Sequence, residues 1–133
     1  MASKRLVVVD DKAEMGDFIR AVAEPLGYVV ETYTKAQEFV AAVGRADPDV
    51  IILDLVMPDV DGIELLNLLA ARPTGARIFI ASGYDPAYQR MAKALGEAHG
   101  LAIAGIISKP MRAADLKAAL VRQLNEPPAE GGA

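Results

Sequence analysis

The sequence predicts an α/β domain, a parallel five-stranded sheet with helices on both faces. Two observations carry that expectation. Short apolar runs recur five times, and the first, Leu6-Val7-Val8-Val9, is β-branched without alternation, as in a strand buried on both faces. Each run is followed by a segment with helical character, in strict strand–helix alternation, the order that parallel strands joined by crossover helices require.

Taken in order, Leu6 to Val9 is the first strand and ends at Asp10-Asp11. From about Ala13 to Leu26, Phe18, Ile19, Val22 and Leu26 recur at helical spacing, with Pro25 weakening the last turn and Gly27 as the stop. Tyr28 to Tyr33 is the second strand. Thr34-Lys35-Ala36-Gln37 has the form of a capping box, which predicts a helix from there to Val43, stopped at Gly44. Asp47-Pro48-Asp49 is a turn and Val50 to Leu53 the third strand. Gly62 opens a helix carrying Ile63, Leu65, Leu66, Leu68 and Leu69, ended by Pro73. Ile78 to Ile80 is the fourth strand. Asp85-Pro86 places an N-cap acid before a proline at the first helical position, and that helix reaches Ala98. Leu101 to Ile107 is the fifth strand, and a last helix spans about Arg112 to Leu124.

A length of 133 residues fits one domain, with residues 1–124 as its body and 125–133, NEPPAEGGA, as a tail without core-forming residues, expected to be disordered. Hydrophobic residues at 53% and charged residues at 24% fit a compact globular chain. The formal charge of -4 and the lack of a basic stripe argue against a nucleic-acid surface. Cysteine is absent, which excludes disulfides and thiolate metal sites. The longest apolar run before Asp10 is four residues, Leu6 to Val9, so no secretory leader is expected, and no run is long enough to span a bilayer. These features predict a cytoplasmic protein that does not insert in membranes.

In a parallel sheet of this kind, ligands bind outside the carboxyl ends of the strands. That rule gathers distant residues at one rim: Asp10-Asp11 after the first strand, Asp54 after the third, Ser82 after the fourth and Lys109 after the fifth. Asp54 follows four large apolar residues, Val50 to Leu53, where an isolated charge is expensive to bury. Three converging carboxylates repel one another unless a cation relieves them. An all-oxygen set of this type suits Mg²⁺ better than zinc or copper. A carboxylate also acts as a nucleophile toward phosphorus, and phosphoryl transfer needs charge neutralisation of the kind Mg²⁺ and the Lys109 ammonium supply. The Ser82 hydroxyl is then a hydrogen-bond donor for a phosphoryl oxygen.

Each residue also has a plainer reading. Asp10 or Asp11 caps the following helix, Ser82 is a small residue after a strand, and Lys109 is a solvated lysine. His99, the single histidine, reads as a surface residue at a helix end rather than a phosphodonor or ligand. Tyr84, Tyr88 and Met91 read either as a partner-binding patch or as helix-spaced core contacts.

Val9-Asp10-Asp11, Asp54 within LDLVMPDVDG, Ala81-Ser82-Gly83 and Ser108-Lys109-Pro110 together resemble the receiver domain of two-component response regulators, over about residues 4 to 124. The resemblance implies a flavodoxin-like sheet of order 2-1-3-4-5. It implies Asp54 as phosphoacceptor, Asp11 as a direct Mg²⁺ ligand, Asp10 as the acid that holds metal-bound water, and Val56 as the residue whose backbone carbonyl coordinates the metal. Ser82 matches the switch hydroxyl, and Lys109 the family's lysine, with a cis peptide to Pro110. The partners implied are a histidine kinase or histidine phosphotransfer protein upstream, and a downstream protein or a fused output domain.

Two departures from the family pattern stand out. The aromatic residue expected three positions before the lysine is replaced by Ile106, and a branched aliphatic side chain cannot swing between solvent and pocket in the same way. Between Ser82 and Lys109 lie 26 residues, more than a compact receiver needs. The first departure keeps a rival reading open, a docking module that no longer switches. A phosphohydrolase with an aspartyl nucleophile is the enzyme-class rival. Such enzymes commonly carry a second Asp two residues beyond the nucleophile, where this sequence has Val56.

Overall fold

The computed structural model describes residues 3–72, 74–83 and 85–126. In chain order the elements are β1 (Arg5–Val9), α1 (Ala13–Ala23), β2 (Val29–Tyr33), α2 (Ala36–Arg45), β3 (Val50–Asp54), α3 (Gly62–Ala70), β4 (Arg77–Ser82), α4 (Pro86–Ala98), β5 (Ala102–Ser108) and α5 (Ala113–Asn125). All strand pairs are parallel and the sheet runs β2-β1-β3-β4-β5, a flavodoxin-like doubly wound arrangement.

The period of two that each strand lacks in its sequence is present in its packing. Val7, Val9, Ile51, Leu53, Ile78 and Ile80 face one side, where Phe39, Leu65, Leu66 and Leu69 of α2 and α3 cover them. Their neighbours Leu6, Val8, Val50, Ile52, Phe79 and Ala81 face the other side, against Ile19 of α1 and Leu116 and Leu120 of α5. Both faces are apolar, so alternation of direction leaves no alternation of polarity. Each Val, Leu, Ile and Phe among them contributes about 1.5–3 kcal/mol by leaving water. The outer strands are less protected: β5 buries only Ile107, because its far edge has no neighbouring strand.

Several boundaries differ from the sequence expectation, each for a physical reason. α1 ends at Ala23 and a 3₁₀ turn over Glu24–Leu26 replaces its predicted last turn, because Pro25 has no N–H to continue the helical ladder. Gly27 then takes φ 102°, the left-handed conformation that ends the segment. Tyr28 lies before β2 rather than in it, and its hydroxyl donates to the Leu120 carbonyl at 2.7 Å. The capping box does not form: α2 begins at Ala36 with Lys35 at the cap position and no side-chain cap. The Ala36 N–H is instead bound by Asp59 Oδ2 at 3.0 Å, a partner 23 residues away that local spacing cannot reveal. Gly44 does not stop α2, which runs through Arg45. Nor do Asp10 or Asp11 cap α1; the cap position is Lys12 and carries no side-chain bond.

Elsewhere the boundaries match closely. α4 spans Pro86–Ala98 as read from the sequence, with the Asp85 carboxylate accepting from the Ala87 N–H at 2.8 Å. His99 is exposed and closes α4. α5 continues one residue past the expected end, to Asn125, and Glu126 pairs with Arg77 at 3.2 Å. The rest of the expected tail, residues 127–133, lies outside the described residues, as do Pro73 and Tyr84. Among the described residues no helix is long and apolar enough to cross a membrane.

Candidate functional site

The carboxyl ends of β1, β3, β4 and β5 bring five of the sequence-predicted side chains to one rim: Asp10, Asp11, Asp54, Ser82 and Lys109. Register places them. Val9 of β1 pairs with Leu53 of β3, so Asp10 and Asp54 leave their strands together. Asp54 pairs with Ala81, and Ser82 with Ser108, which puts the hydroxyl and the lysine one step further out. The Lys109 N–H donates to the Ser82 carbonyl at 3.1 Å, and the Lys109-Pro110 peptide is cis.

Asp10 and Asp54 are each 4% exposed, so their charges need partners inside the protein. The Lys109 ammonium supplies both, donating to Asp10 Oδ2 at 2.7 Å and to Asp54 Oδ2 at 3.2 Å. The second oxygen of each carboxylate is also engaged. Asp54 Oδ1 accepts from the Val56 N–H at 3.0 Å, and Asp10 Oδ1 from the Lys12 N–H at 2.9 Å. Asp11 is exposed, and it, Asp10 and Asp54 offer carboxylate oxygens all within 4.8 Å of one another.

Burial pushes the Asp54 carboxyl above its ordinary value. The Val56 N–H and the Lys109 charge pull the other way, while the nearby Asp10 charge adds to the rise. For Lys109, burial works against the charged form, but the hydrogen bond to Asp10 and the Asp54 charge outweigh it, and its proton is held more tightly than usual. A cation shared by two carboxylates cannot neutralise both while a third stands beside them. The residual charge is negative, the donors are oxygens alone, and one carboxylate is exposed to solvent: a set that fits a small, hard divalent ion such as Mg²⁺.

The remaining two predicted residues are placed differently. Val56 follows the rim in the loop after β3, with 52% of its surface exposed. Ile106 is not at the rim: it lies opposite Ile80 within β5, half-buried against the core face covered by α2 and α3.

The loop between β3 and α3 holds a residue that carried no expected role, Asp61. Val56 and Asp61 pair across it as an isolated antiparallel bridge. Gly62 closes it, since a Cβ there would stand 2.5 Å from the Leu55 carbonyl oxygen. Asp61 caps α3, its Oδ1 accepting from the Ile63 N–H at 3.1 Å and from the Tyr88 hydroxyl at 2.5 Å. These bonds hold the Asp61 carboxyl below its ordinary range, the Tyr88 bond most of all. On the next residue of α4, buried Gln89 donates to the Ser82 carbonyl at 2.9 Å. The position of Asp61 before a helix-opening glycine is a readable cap signal; the contacts of Tyr88 and Gln89, 27 and 7 residues from their partners, are not.

Comparison with known proteins agrees with this fold. A family model described as the response regulator receiver domain matches residues 6–121. The chain is 28% identical over 123 residues to protein RcaC of Microchaete diplosiphon, covering 90% of this chain and 18% of that one. It spans a similarly small part of several other curated relatives. Its fold matches a response regulator from Colwellia psychrerythraea with a TM-score of 0.81 and 28% identity, over 94% of this chain and all of that one. The chemotaxis response regulator CheY4 of Vibrio cholerae matches with a TM-score of 0.79 at 24% identity, over 92% of this chain and 99% of that one. With its sheet order, its acidic rim and a family match over nearly its whole length, this chain belongs to the response regulator receiver domains, the phosphoacceptor modules of two-component signalling.

Proposed function

We propose that Asp54 accepts the phosphoryl group, with Mg²⁺ held at the rim by Asp11, Asp54 and the Val56 carbonyl and, through water, by Asp10. The observation that carries this reading is the Lys109 ammonium, 2.7 Å from Asp10 and 3.2 Å from Asp54 beside the exposed Asp11.

In the transfer, an Asp54 oxygen forms a bond to phosphorus as the phosphorus–nitrogen bond of a donor phosphohistidine breaks. The imidazole leaves with the electron pair of that bond and takes a proton. Asp54 enters with both oxygens oriented, Oδ1 by the Val56 N–H and Oδ2 by Lys109, so little rotational freedom is lost on attack. Mg²⁺, when bound, supplies positive charge to the phosphoryl oxygens. Lys109 adds its own charge to the same oxygens, and the Ser82 hydroxyl donates to one of them. Gln89 and the Lys109 N–H hold the Ser82 carbonyl, which fixes the backbone from which that hydroxyl acts.

The donor is a histidine kinase or histidine phosphotransfer protein in the cytoplasm. Residues 1–124 form the receiver, which handles its own phosphoryl group and turns over no external substrate. Phosphorylation changes its affinity for a downstream protein or for an output domain of the same polypeptide. Borohydride reduction after phosphorylation converts an aspartyl phosphate to homoserine, and peptide mapping should place that homoserine at position 54. Homoserine at Asp10, Asp11 or Asp59 would overturn the assignment.

A further inference from the structure

We propose that Tyr88 positions the Val56 segment of the site from α4, so that filling the acidic rim and the placement of α4 are coupled through the Tyr88–Asp61 hydrogen bond. The inference rests on the reading of Val56 as a metal-binding position given above.

Two hydrogen bonds joined by a backbone bridge support it. The Tyr88 hydroxyl donates to Asp61 Oδ1 at 2.5 Å, Asp61 pairs with Val56 across the loop, and the Val56 N–H donates to Asp54 Oδ1 at 3.0 Å. Both ends of this path are anchored. The Tyr88 ring packs against the core face that also receives Ile106, and Gln89, one residue on, binds the Ser82 carbonyl at 2.9 Å. α4 is thus tied to the rim at two points, the end of β4 and the loop after β3. The loop itself is stiff for its length, closed by the Val56–Asp61 bridge and by Gly62 against Leu55, and bound to the start of α2 through Asp59.

A stiff loop tethered to α4 through a side chain is a lever: a shift of the Val56 backbone moves Asp61, and Asp61 moves with Tyr88. Linkage makes the relation reciprocal, so a tether that ties α4 to the site also favours the loop geometry that binds the ion. Ile106 has no hydroxyl to take part in such a path. Among the described residues, the Tyr88 hydroxyl of α4 reaches the loop.

The test uses the full chain, ¹⁵N-labelled, titrated with Mg²⁺ alone and followed through its amide shifts. Tyr88→Phe keeps the ring and removes the hydroxyl. Asp61→Ser keeps an N-cap acceptor for α3 but is too short to reach Tyr88. Either variant should bind Mg²⁺ at least about fivefold more weakly than the parent chain, the low end of the coupling between two linked sites. The double variant should be no weaker than either single one, the non-additivity of residues acting through one bond. In the parent, amides of residues 86–90 should shift with the same midpoint as those of Asp54 and Val56; in both variants the α4 shifts should fall to the part carried by the remaining Gln89–Ser82 bond, well below the parent's, while the rim shifts remain. Parent-like affinity in both variants, or α4 shifts of undiminished size in them, would overturn the coupling and leave the reading of the site intact. If the parent itself binds no Mg²⁺, that reading fails and the inference fails with it.

Discussion

Asp54 is the residue whose environment departs most from what its chemistry prefers. It sits at 4% exposure at the end of β3, and burial holds its carboxyl above the ordinary value of 3.8 despite the Lys109 ammonium at 3.2 Å. A raised folded-state pKa means that the folded form binds the proton more tightly than the unfolded form. The corresponding stability is present below 3.8 and is lost as pH rises through the folded value. Asp54→Asn removes that loss. In metal-free buffer at pH 7 the variant should be more stable than the parent, because the asparagine side chain carries no charge to bury. Thermal melts should show the gap closing as pH falls toward 4. Asp54 was legible in the sequence because a lone acid directly after four apolar residues requires a compensating partner. The Tyr88–Asp61 bond was not, since two exposed-type polar residues on separate elements leave no local pattern.

At the scale of elements, the loop from Leu55 to Gly62 gathers the ties between the site and its surroundings. It gives its Val56 N–H to Asp54, its Asp59 carboxylate to the first turn of α2 and its Asp61 carboxylate to α3 and α4. Its closure depends on Gly62, where a Cβ would lie 2.5 Å from the Leu55 oxygen and 2.8 Å from the Leu55 Cα. Backbone atoms cannot rotate away as a flexible side chain can. Gly62→Ala should therefore cost about 1–3 kcal/mol in urea unfolding, the range for overpacking, and should weaken Mg²⁺ binding in the same protein. Unchanged stability and Mg²⁺ affinity would show that the loop yields more easily than its contacts imply. The failure of the predicted capping box at Thr34 has the same origin: the cap for α2 comes from this loop, across the fold. Where the signal is contained in one segment, as at Asp85-Pro86, the helix start is legible without the fold.

For the whole molecule, the sheet separates two apolar layers, and polar ties join elements far apart in sequence. One of them links Tyr28 to α5: the hydroxyl donates to the Leu120 carbonyl 92 residues away. Burial and the Asp49 charge push the Tyr28 phenol from 10.0 to about 12. Here the stability is present below pH 10 and is lost as pH rises from 10 toward 12, because the unfolded chain releases the proton first. Tyr28→Phe should cost about 1 kcal/mol at pH 7, the typical value of one hydrogen bond. It should also lack this alkaline loss, so urea midpoints of the two proteins should converge above pH 10. The alternation of strands and helices made the parallel sheet legible from sequence, whereas the strand order came with the family resemblance. The two core layers were hidden because both faces of β1, β3 and β4 are apolar.

The proposed reaction puts a phosphoryl group on one carboxylate of this rim with the help of Mg²⁺. Its decisive check is intact-mass spectrometry after incubation with acetyl phosphate. The parent chain with Mg²⁺ should gain the mass of a single phosphoryl group, the metal-free sample should gain little, and Asp54→Asn should gain none. A parent chain that gains nothing with Mg²⁺ present, or an Asp54→Asn variant modified to the same extent as the parent, would refute that reaction.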